Sequence, residues 1–339
     1  MDTKPLISTS PQIHSAGSTR SVMGWVLIAL LPVSVWSVVL FGARALLVYA
    51  VSVAAAMAVE GLLNRAFGRE ATLGDLSAAV TGLLIGLNMP PAVPLYVPVV
   101  ASAFAIGVVK WSFGGLGANW MNPALAGRVF VFFSWGGPMT RWTLPRLASS
   151  GTVDAVSGAT PLGTVKVALA DLPAGVDGPM RLLESAGMPF TYLDLFLGRM
   201  PGSLGEMSAM LLIVGGLLLV ALKIVNWEIP LVYIGSFALL IWAFDGMAYG
   251  GGWFTGDVLF HLLTGGLMLG AWFMATDMVT TPLTRRGRII FGLGCGFITF
   301  VIRRFGNLPE GVSLAIIFMN IFTPLIDRAT RPSRYGVES

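Results

Sequence analysis

The spacing of its apolar runs constrains this chain more than any other feature. Ten stretches are nearly free of charge: Val22–Phe41, Ala45–Leu63, Leu76–Met89, Tyr96–Phe113, Pro123–Trp135, Met207–Val225, Pro230–Phe244, Val258–Ala275, Ile289–Val301 and Val312–Leu325. A helix that crosses the hydrocarbon core needs roughly 20 apolar residues, and fewer where it is broken or shielded by protein. Only 11% of the 339 residues are charged, against about 25% in soluble domains, and mean hydropathy is +0.79. The pattern predicts an all-α polytopic membrane protein with ten transmembrane helices. The first run begins near Ser21, is too long for a signal-peptide core and precedes no small-residue cleavage site, so it reads as a retained span.

A polar stretch splits the runs five and five. The organisation expected is an N-terminal tail (1–20), a first membrane half (21–135), an extracytoplasmic loop (136–206), a second membrane half (207–326) and a C-terminal tail (327–339). The halves echo each other. "TGLLIGLNMPP" (81–91) resembles "TGGLMLGAWFMATD" (264–277), and "SFGGLGANWMNPALAG" (112–127) is matched more weakly by "RFGNLPEGVSLA" (304–315). With five spans each, the halves enter the membrane from opposite sides, which predicts two inverted five-helix repeats with half-helices around a central site.

Basic residues set the orientation. A cytoplasmic N-terminus puts Lys4, Arg20, Arg65, Arg69, Lys110, Lys223, Arg285, Arg286, Arg288, Arg328, Arg331 and Arg334 inside, and leaves Arg44, Arg303 and Arg304 in the short outer loops. That asymmetry obeys the positive-inside rule. Both termini are then cytoplasmic and the 136–206 loop is outside. The pair Arg303-Arg304 runs against the trend and points to a broken ninth helix.

Cysteine and histidine usage excludes whole classes of chemistry. The one cysteine is Cys295 and the histidines are His14 and His261. An iron–sulfur cluster needs about four thiolates and a zinc site needs several N or S ligands, so redox work here would rest on an organic cofactor. His261 reads as a hydrogen-bonded helix residue and Cys295, between glycines, as a small packing residue. Asp245 and Asp257 flank a Gly-rich outer loop and read as solvated. Trp111, Trp120, Trp135 and Trp142 fall near span ends, where tryptophan anchors an interface. The basic residues are scattered rather than gathered on one face, which argues against nucleic acid as a partner.

The outer loop holds the most specific motif, "DAVSGATPLGTVKVALA" (154–170). Thr160 followed by Pro161 suits a helix start, with threonine as N-cap and proline at the first helical position. The same geometry suits a phosphate, because a helix N-terminus presents free N–H groups and a positive dipole end. Gly158 and Ala159 add almost no bulk, so a large ring or a macromolecule can approach the hydroxyl.

Asp154, Ser157, Gly158, Ala159 and Thr160 resemble the Asp-x-x-Ser-Gly-Ala-Thr motif read by bacterial flavin transferases, which join FMN to the threonine as a phosphoester. "GANWMNPALAG" (117–127), "GRMPGSLGEMS" (198–208) and "MATDMVTTP" (274–282) also resemble stretches of one family, the D subunits of Rnf electron-transport complexes. The B subunit of the sodium-pumping NADH:quinone reductase is a relative with a longer segment before its first span. The resemblance covers nearly the whole chain. It implies a bacterial inner-membrane protein, inactive outside its complex, with covalent FMN at Thr160 in a periplasmic loop and a non-covalent riboflavin within the bundle. Implied partners are iron–sulfur subunits, an extracytoplasmic subunit with its own covalent FMN and the flavin transferase. Electrons would pass between ferredoxin-side and NAD-side partners, coupled to Na⁺ or H⁺ movement. A flavin outside the membrane is about 30 Å of hydrocarbon from the cytoplasm, so relay centres are required. Two other readings compete: a quinone-reductase component of the same chemistry, and a secondary transporter in which "SGAT" only caps a helix.

Ionisable residues within spans are the expected ion pathway. Glu60, late in the second run, reads either as part of that pathway or as an interfacial residue. Asp277 ends "WFMATD" and reads as a flavin or ion contact, or as a cap for the next turn. Asn122-Pro123-Ala124 resembles the helix-start motif of channel proteins; Asn122 serves as N-cap and as a candidate pocket residue.

Overall fold

The computed structural model describes residues 18–146, 157–171 and 176–331; His14 and Asp154 lie outside them. Every apolar run becomes helix. The first half holds α1 (Thr19–Phe41), α2 (Ala43–Ala66), α3 (Ser77–Leu87), α4 (Tyr96–Ala103, continuing as a π-helix over Phe104–Trp111) and α5 (Pro123–Ser134). The segment between the halves contributes α6 (Pro161–Ala168). The second half holds α7 (Ala209–Ala221), α8 (Glu228–Phe244), α9 (Val258–Leu263), α10 (Arg285–Phe305) and α11 (Val312–Ala329). Four helices, α1, α2, α8 with its extension to Tyr249, and α11, are long and apolar enough to cross a membrane; α3, α4, α5 and α7 are shorter apolar helices.

These helices are apolar on nearly every side, which fits burial in lipid and protein together. On α1, Leu30 and Val33 are buried, whereas Leu31, Val35 and Val39 are more than half exposed. Between helices, small residues allow close approach in the manner of membrane bundles. A Cβ at Gly82 would fall 2.6 Å from Val53 Cα, and one at Gly127 would fall 2.5 Å from the Ala101 carbonyl.

The ninth run is not broken. Helix α10 is continuous for 21 residues, because Arg303 is satisfied inside the protein rather than forced to its surface. Its guanidinium donates to the carbonyls of His261 (2.7 Å), Thr264 (3.0 Å), Gly265 (3.1 Å) and Glu310 (2.9 Å). The break falls in the eighth run. There α9 stops at Leu263, the chain turns through Gly265 and Gly266 at φ 72° and 68°, and a short helix, Leu267–Leu269, runs into a second π-helix, Gly270–Met274. That turn supplies the carbonyls Arg303 needs.

A polar knot ties the halves together where the two echoing runs end. Asn88, after α3, donates to Met274 Sδ (3.7 Å), and Asn122 Nδ2 donates to the Met274 carbonyl (3.2 Å). Asn320 in α11 accepts from Asn122 N–H (3.2 Å) and donates to the Thr280 carbonyl (3.2 Å). The "GRMPGSLGEMS" stretch folds inward onto this region: Leu204 N–H and Gly205 N–H donate to the carbonyls of Met89 (3.1 Å) and Leu87 (2.6 Å). Gly198 starts the turn at φ 78°, and any Cβ there would collide with the Met207 carbonyl.

The segment between the halves is more than a loop. Strand β1 (Trp142–Thr143) pairs antiparallel with β2 (Ser157–Gly158), Trp142 opposite Gly158. A satellite core of Leu162, Val165, Leu182, Leu183, Leu195 and Met200 closes over Tyr249 and Phe260 of the second half. This corrects the reading of Asp245 as solvated; Asp257 is half-buried at the rim. Asp245 is buried and shares a hydrogen bond with His261 Nε2 at 3.1 Å, while Asp257 caps α9 through Phe260 N–H (3.0 Å) and accepts from the Tyr192 hydroxyl (2.6 Å). His261 is thus the hydrogen-bonded helix residue expected, and Cys295 is fully buried in the core.

Candidate functional site

Thr160 is the N-cap of α6. Its Oγ1 accepts from Gly163 N–H at 3.0 Å, its backbone is extended (φ −68°, ψ 151°) and Pro161 fills the first helical position. The hydroxyl is thus engaged as a helix cap, and Thr160 is 8% exposed. Lys166, later in the helix, donates to the carbonyls of Arg303 (2.6 Å) and Arg304 (3.3 Å) at the C-terminal end of α10. A cation there is doubly favoured, by the unpaired carbonyls and by the negative end of the helix dipole. Burial, then the neighbouring Arg304, holds the Lys166 ammonium below the usual lysine range.

Thr160 and Ala159 border a cavity of about 270 Å³. Phe132, Phe133 and Trp142 give it aromatic walls, and Arg128 and Glu310 give it a charged flank. Arg128 is buried and bonds both the Glu310 carboxylate and the Ser313 hydroxyl, joining α5 to the start of α11. Trp142 therefore faces a cavity as well as lying near a span end. Of the motif, Ser157 and Gly158 form β2, Ala159 and Thr160 reach the cavity, and Asp154 is outside the described residues.

The other sequence candidates converge on a second cavity, about 100 Å³ in volume. Asn122 and Asp277 both line it, with Ser77, Lys110, Asn119 and Thr276. Asn122 caps α5 through Ala124 N–H (3.0 Å) and Leu125 N–H (3.2 Å). Asp277 accepts from Val279 N–H (3.4 Å) and Thr280 Oγ1 (3.3 Å), so it caps a turn and faces the cavity at once. Glu60 is absent from the lining but holds a residue that is present: its Oε2 accepts from Lys110 Nζ at 2.6 Å, and its Oε1 accepts from Thr72 Oγ1 at 2.5 Å. Lys110 also reaches Ser77 Oγ at 2.6 Å. Both members of the pair are buried within the protein: Glu60 and Lys110 are each 3% exposed.

Lys110 and Arg128 are the residues sequence reasoning passed over. Lys110 counted as a loop charge, yet it sits in the π-helical end of the fourth run. Arg128 interrupts the fifth run, and an arginine inside an apolar stretch was itself a signal. The two π-helices, Phe104–Trp111 and Gly270–Met274, both border the second cavity, a placement common for π-bulges near functional sites. Among the described residues no group of three or more His, Cys, Asp or Glu is arranged to hold a metal ion.

Fold and site together define a membrane protein in which the segment between the two halves presents a helix-capping threonine to an aromatic-walled cavity. The chain belongs to the NQR2, RnfD, RnfE family, whose sequence profile matches residues 6–336. It is 44% identical over 331 residues to the D subunit of the proton-translocating ferredoxin:NAD(+) oxidoreductase complex of Clostridium ljungdahlii, covering 97% of this chain and 96% of the relative. It is 42% identical over 336 residues to the D subunit of the Na(+)-translocating ferredoxin:NAD(+) oxidoreductase complex of Acetobacterium woodii, covering 98% and 95%. The D subunit of an ion-translocating oxidoreductase complex of Stutzerimonas stutzeri is 40% identical over 340 residues, covering 94% and 92%.

Proposed function

We propose that this chain is the membrane flavoprotein of a multisubunit ion-translocating ferredoxin:NAD⁺ oxidoreductase, with FMN joined to Thr160 by a phosphoester. Full-length similarity to components of such complexes supports the assignment to the complex. The observation that carries the flavin is the placement of Thr160: the one threonine that completes the Ser-Gly-Ala-Thr match borders a cavity with three aromatic walls. At about 270 Å³ that cavity approaches the ~300–1,000 Å³ of small-molecule sites.

The residues present fit the group. Phe132, Phe133 and Trp142 offer apolar faces to a planar ring. The first N–H groups of α6 favour a phosphate at Thr160. Arg128 lines the same cavity, its guanidinium bonded to the Glu310 carboxylate. When bound, the flavin would supply the exchange of electrons singly or in pairs. The chain's contribution is to fix the attachment point outside the membrane and to limit water around it. Transfer to the cytoplasm then requires relay centres, in a second flavin or in iron–sulfur partners.

The second cavity suits an ion or water better than a tricyclic ring. Its volume of about 100 Å³ matches roughly three waters at ~30 Å³ each. Among the described residues Glu60 is balanced by Lys110, whereas Asp277, the carboxylate lining the cavity, has no cationic partner in contact. We assign Asp277, with Asn122 beside it, to the ion pathway, and Glu60 to its support. The ion itself is Na⁺ or H⁺; relatives of nearly equal similarity are named for each. Two inverted five-helix halves, both termini cytoplasmic and Thr160 periplasmic complete the reading.

The test is intact mass and in-gel fluorescence of the chain made with a flavin transferase, beside Thr160→Ala. A fluorescent band heavier by one FMN less one water, lost in the variant, is the expected result. A dark band of unmodified mass, from a host whose transferase labels a control substrate, would overturn it and leave Thr160 as a helix cap.

A further inference from the structure

In the folded chain Thr160 is hidden from the enzyme that would modify it. The residue is 8% exposed, and Pro161 and Leu162 beyond it are buried as well. Its Oγ1 is held by Gly163 N–H at 3.0 Å. On one side of Thr160, β2 is paired with β1. On the other, Leu162 and Val165 are sunk in the satellite core with Phe260 and Tyr249 of the second half, and Lys166 is tied to the end of α10. The cavity beside the hydroxyl admits a small molecule of limited size. At about 270 Å³ it is small beside the active site of a second protein, which must reach the acceptor hydroxyl directly.

We infer that flavin attachment at Thr160 precedes docking of the outer segment, and that docking then seals the modified threonine against the membrane bundle. The inference rests on the attachment reading above. The step itself is a phosphoryl-group transfer with no change of oxidation state. The Thr160 oxygen bonds to the FMN phosphorus of a flavin dinucleotide donor, the bond from that phosphorus to the bridging oxygen breaks, and the nucleoside monophosphate leaves with the electron pair. The hydroxyl proton passes to a base on the transferase. Each requirement of that step, an in-line approach for the donor and a base at the hydroxyl, is blocked while α6 is docked.

Gly163 leaves that hydroxyl uncrowded within the first turn of α6: a Cβ there would stand 2.9 Å from Thr160 Oγ1. The phosphate, once attached, inherits the N–H groups that the hydroxyl capped. The modified segment can therefore dock with its helix start still satisfied.

The experiment compares two routes to the same product. The complete complex is produced in cells lacking the transferase, purified, and then treated with purified transferase and flavin adenine dinucleotide. In parallel, the transferase is present during synthesis. Fluorescence of this chain's band, with Thr160→Ala as the blank, gives the extent of labelling. The expected result is at least tenfold slower labelling of the assembled complex, relieved several-fold by Lys166→Met, which loosens α6 from α10. If Lys166→Met does not assemble, brief exposure of the wild-type complex to mild denaturant followed by labelling serves the same purpose. Equal rates by both routes would overturn the inference and leave the attachment site intact. Absence of label even during synthesis would instead overturn the attachment reading, and this inference with it.

Discussion

Lys110 Nζ lies 2.6 Å from Glu60 Oε2, and both side chains are almost wholly buried between α2 and the π-helical end of α4. Each is the other's counter-charge in that buried setting. Removing one partner of a buried pair strands the remaining charge at a cost of about 3–5 kcal/mol, whereas removing both is often close to neutral. Glu60→Gln and Lys110→Met should each lower the unfolding temperature of the detergent-solubilised protein markedly, and the double variant should recover most of the loss. A double variant as unstable as the sum of the singles would show that the two residues do not support each other.

Gly163→Ala should weaken the cap at Thr160, because the new Cβ would meet Oγ1 at 2.9 Å. Loss of an N-cap costs about 1 kcal/mol. The expected outcome is a small drop in thermal stability with a large drop in flavin fluorescence per chain, read in one gel and one melting curve. Full labelling would mean that the hydroxyl's position is not set by its bond to residue 163.

Asp277→Asn should separate ion movement from cofactor content. Its side chain borders the cavity of about 100 Å³ and takes no part in lining the one beside Thr160. In proteoliposomes of the whole complex, electron-driven ion uptake should fall at least tenfold while the fluorescent band keeps its intensity. Unaltered ion uptake would remove Asp277 from the pathway.

Arg303→Lys tests how α10 remains unbroken. The guanidinium reaches four carbonyls from a fixed fork, and an ammonium has three donors on a single atom. Leaving one or two buried carbonyls unpaired costs about 1–3 kcal/mol each. The variant should lose several degrees of thermal stability and expose the Gly265-Gly266 turn to proteolysis; a wild-type melting curve would refute this.

Much of this molecule was legible along the chain. Each apolar run is helical over most of its length, the eighth interrupted at Gly265-Gly266, since apolar stretches away from water must satisfy their backbone N–H and C=O groups internally. Thr160 and Asn122 were readable as caps because capping is local, depending on one side chain and the next three N–H groups. The misreadings share a different cause. Arg303 predicted a broken helix, and Asp245 a solvated loop, because charge alone says nothing about partners far away in sequence. Arg303 is satisfied by carbonyls around residue 265, and Asp245 by His261.

By itself, then, the sequence determined the membrane class, the helices, their caps and the threonine of the motif, all of which follow from composition and short-range hydrogen bonding. Only the tertiary structure decided which lone charges meet. It set Lys110 against Glu60, placed Asn122 and Asp277 on one cavity and Arg128 beside Thr160, and folded α6 down onto the end of α10. Those pairings arise because a charge removed from water must find a counter-charge or a carbonyl, and the packing of distant helices determines which one is within reach.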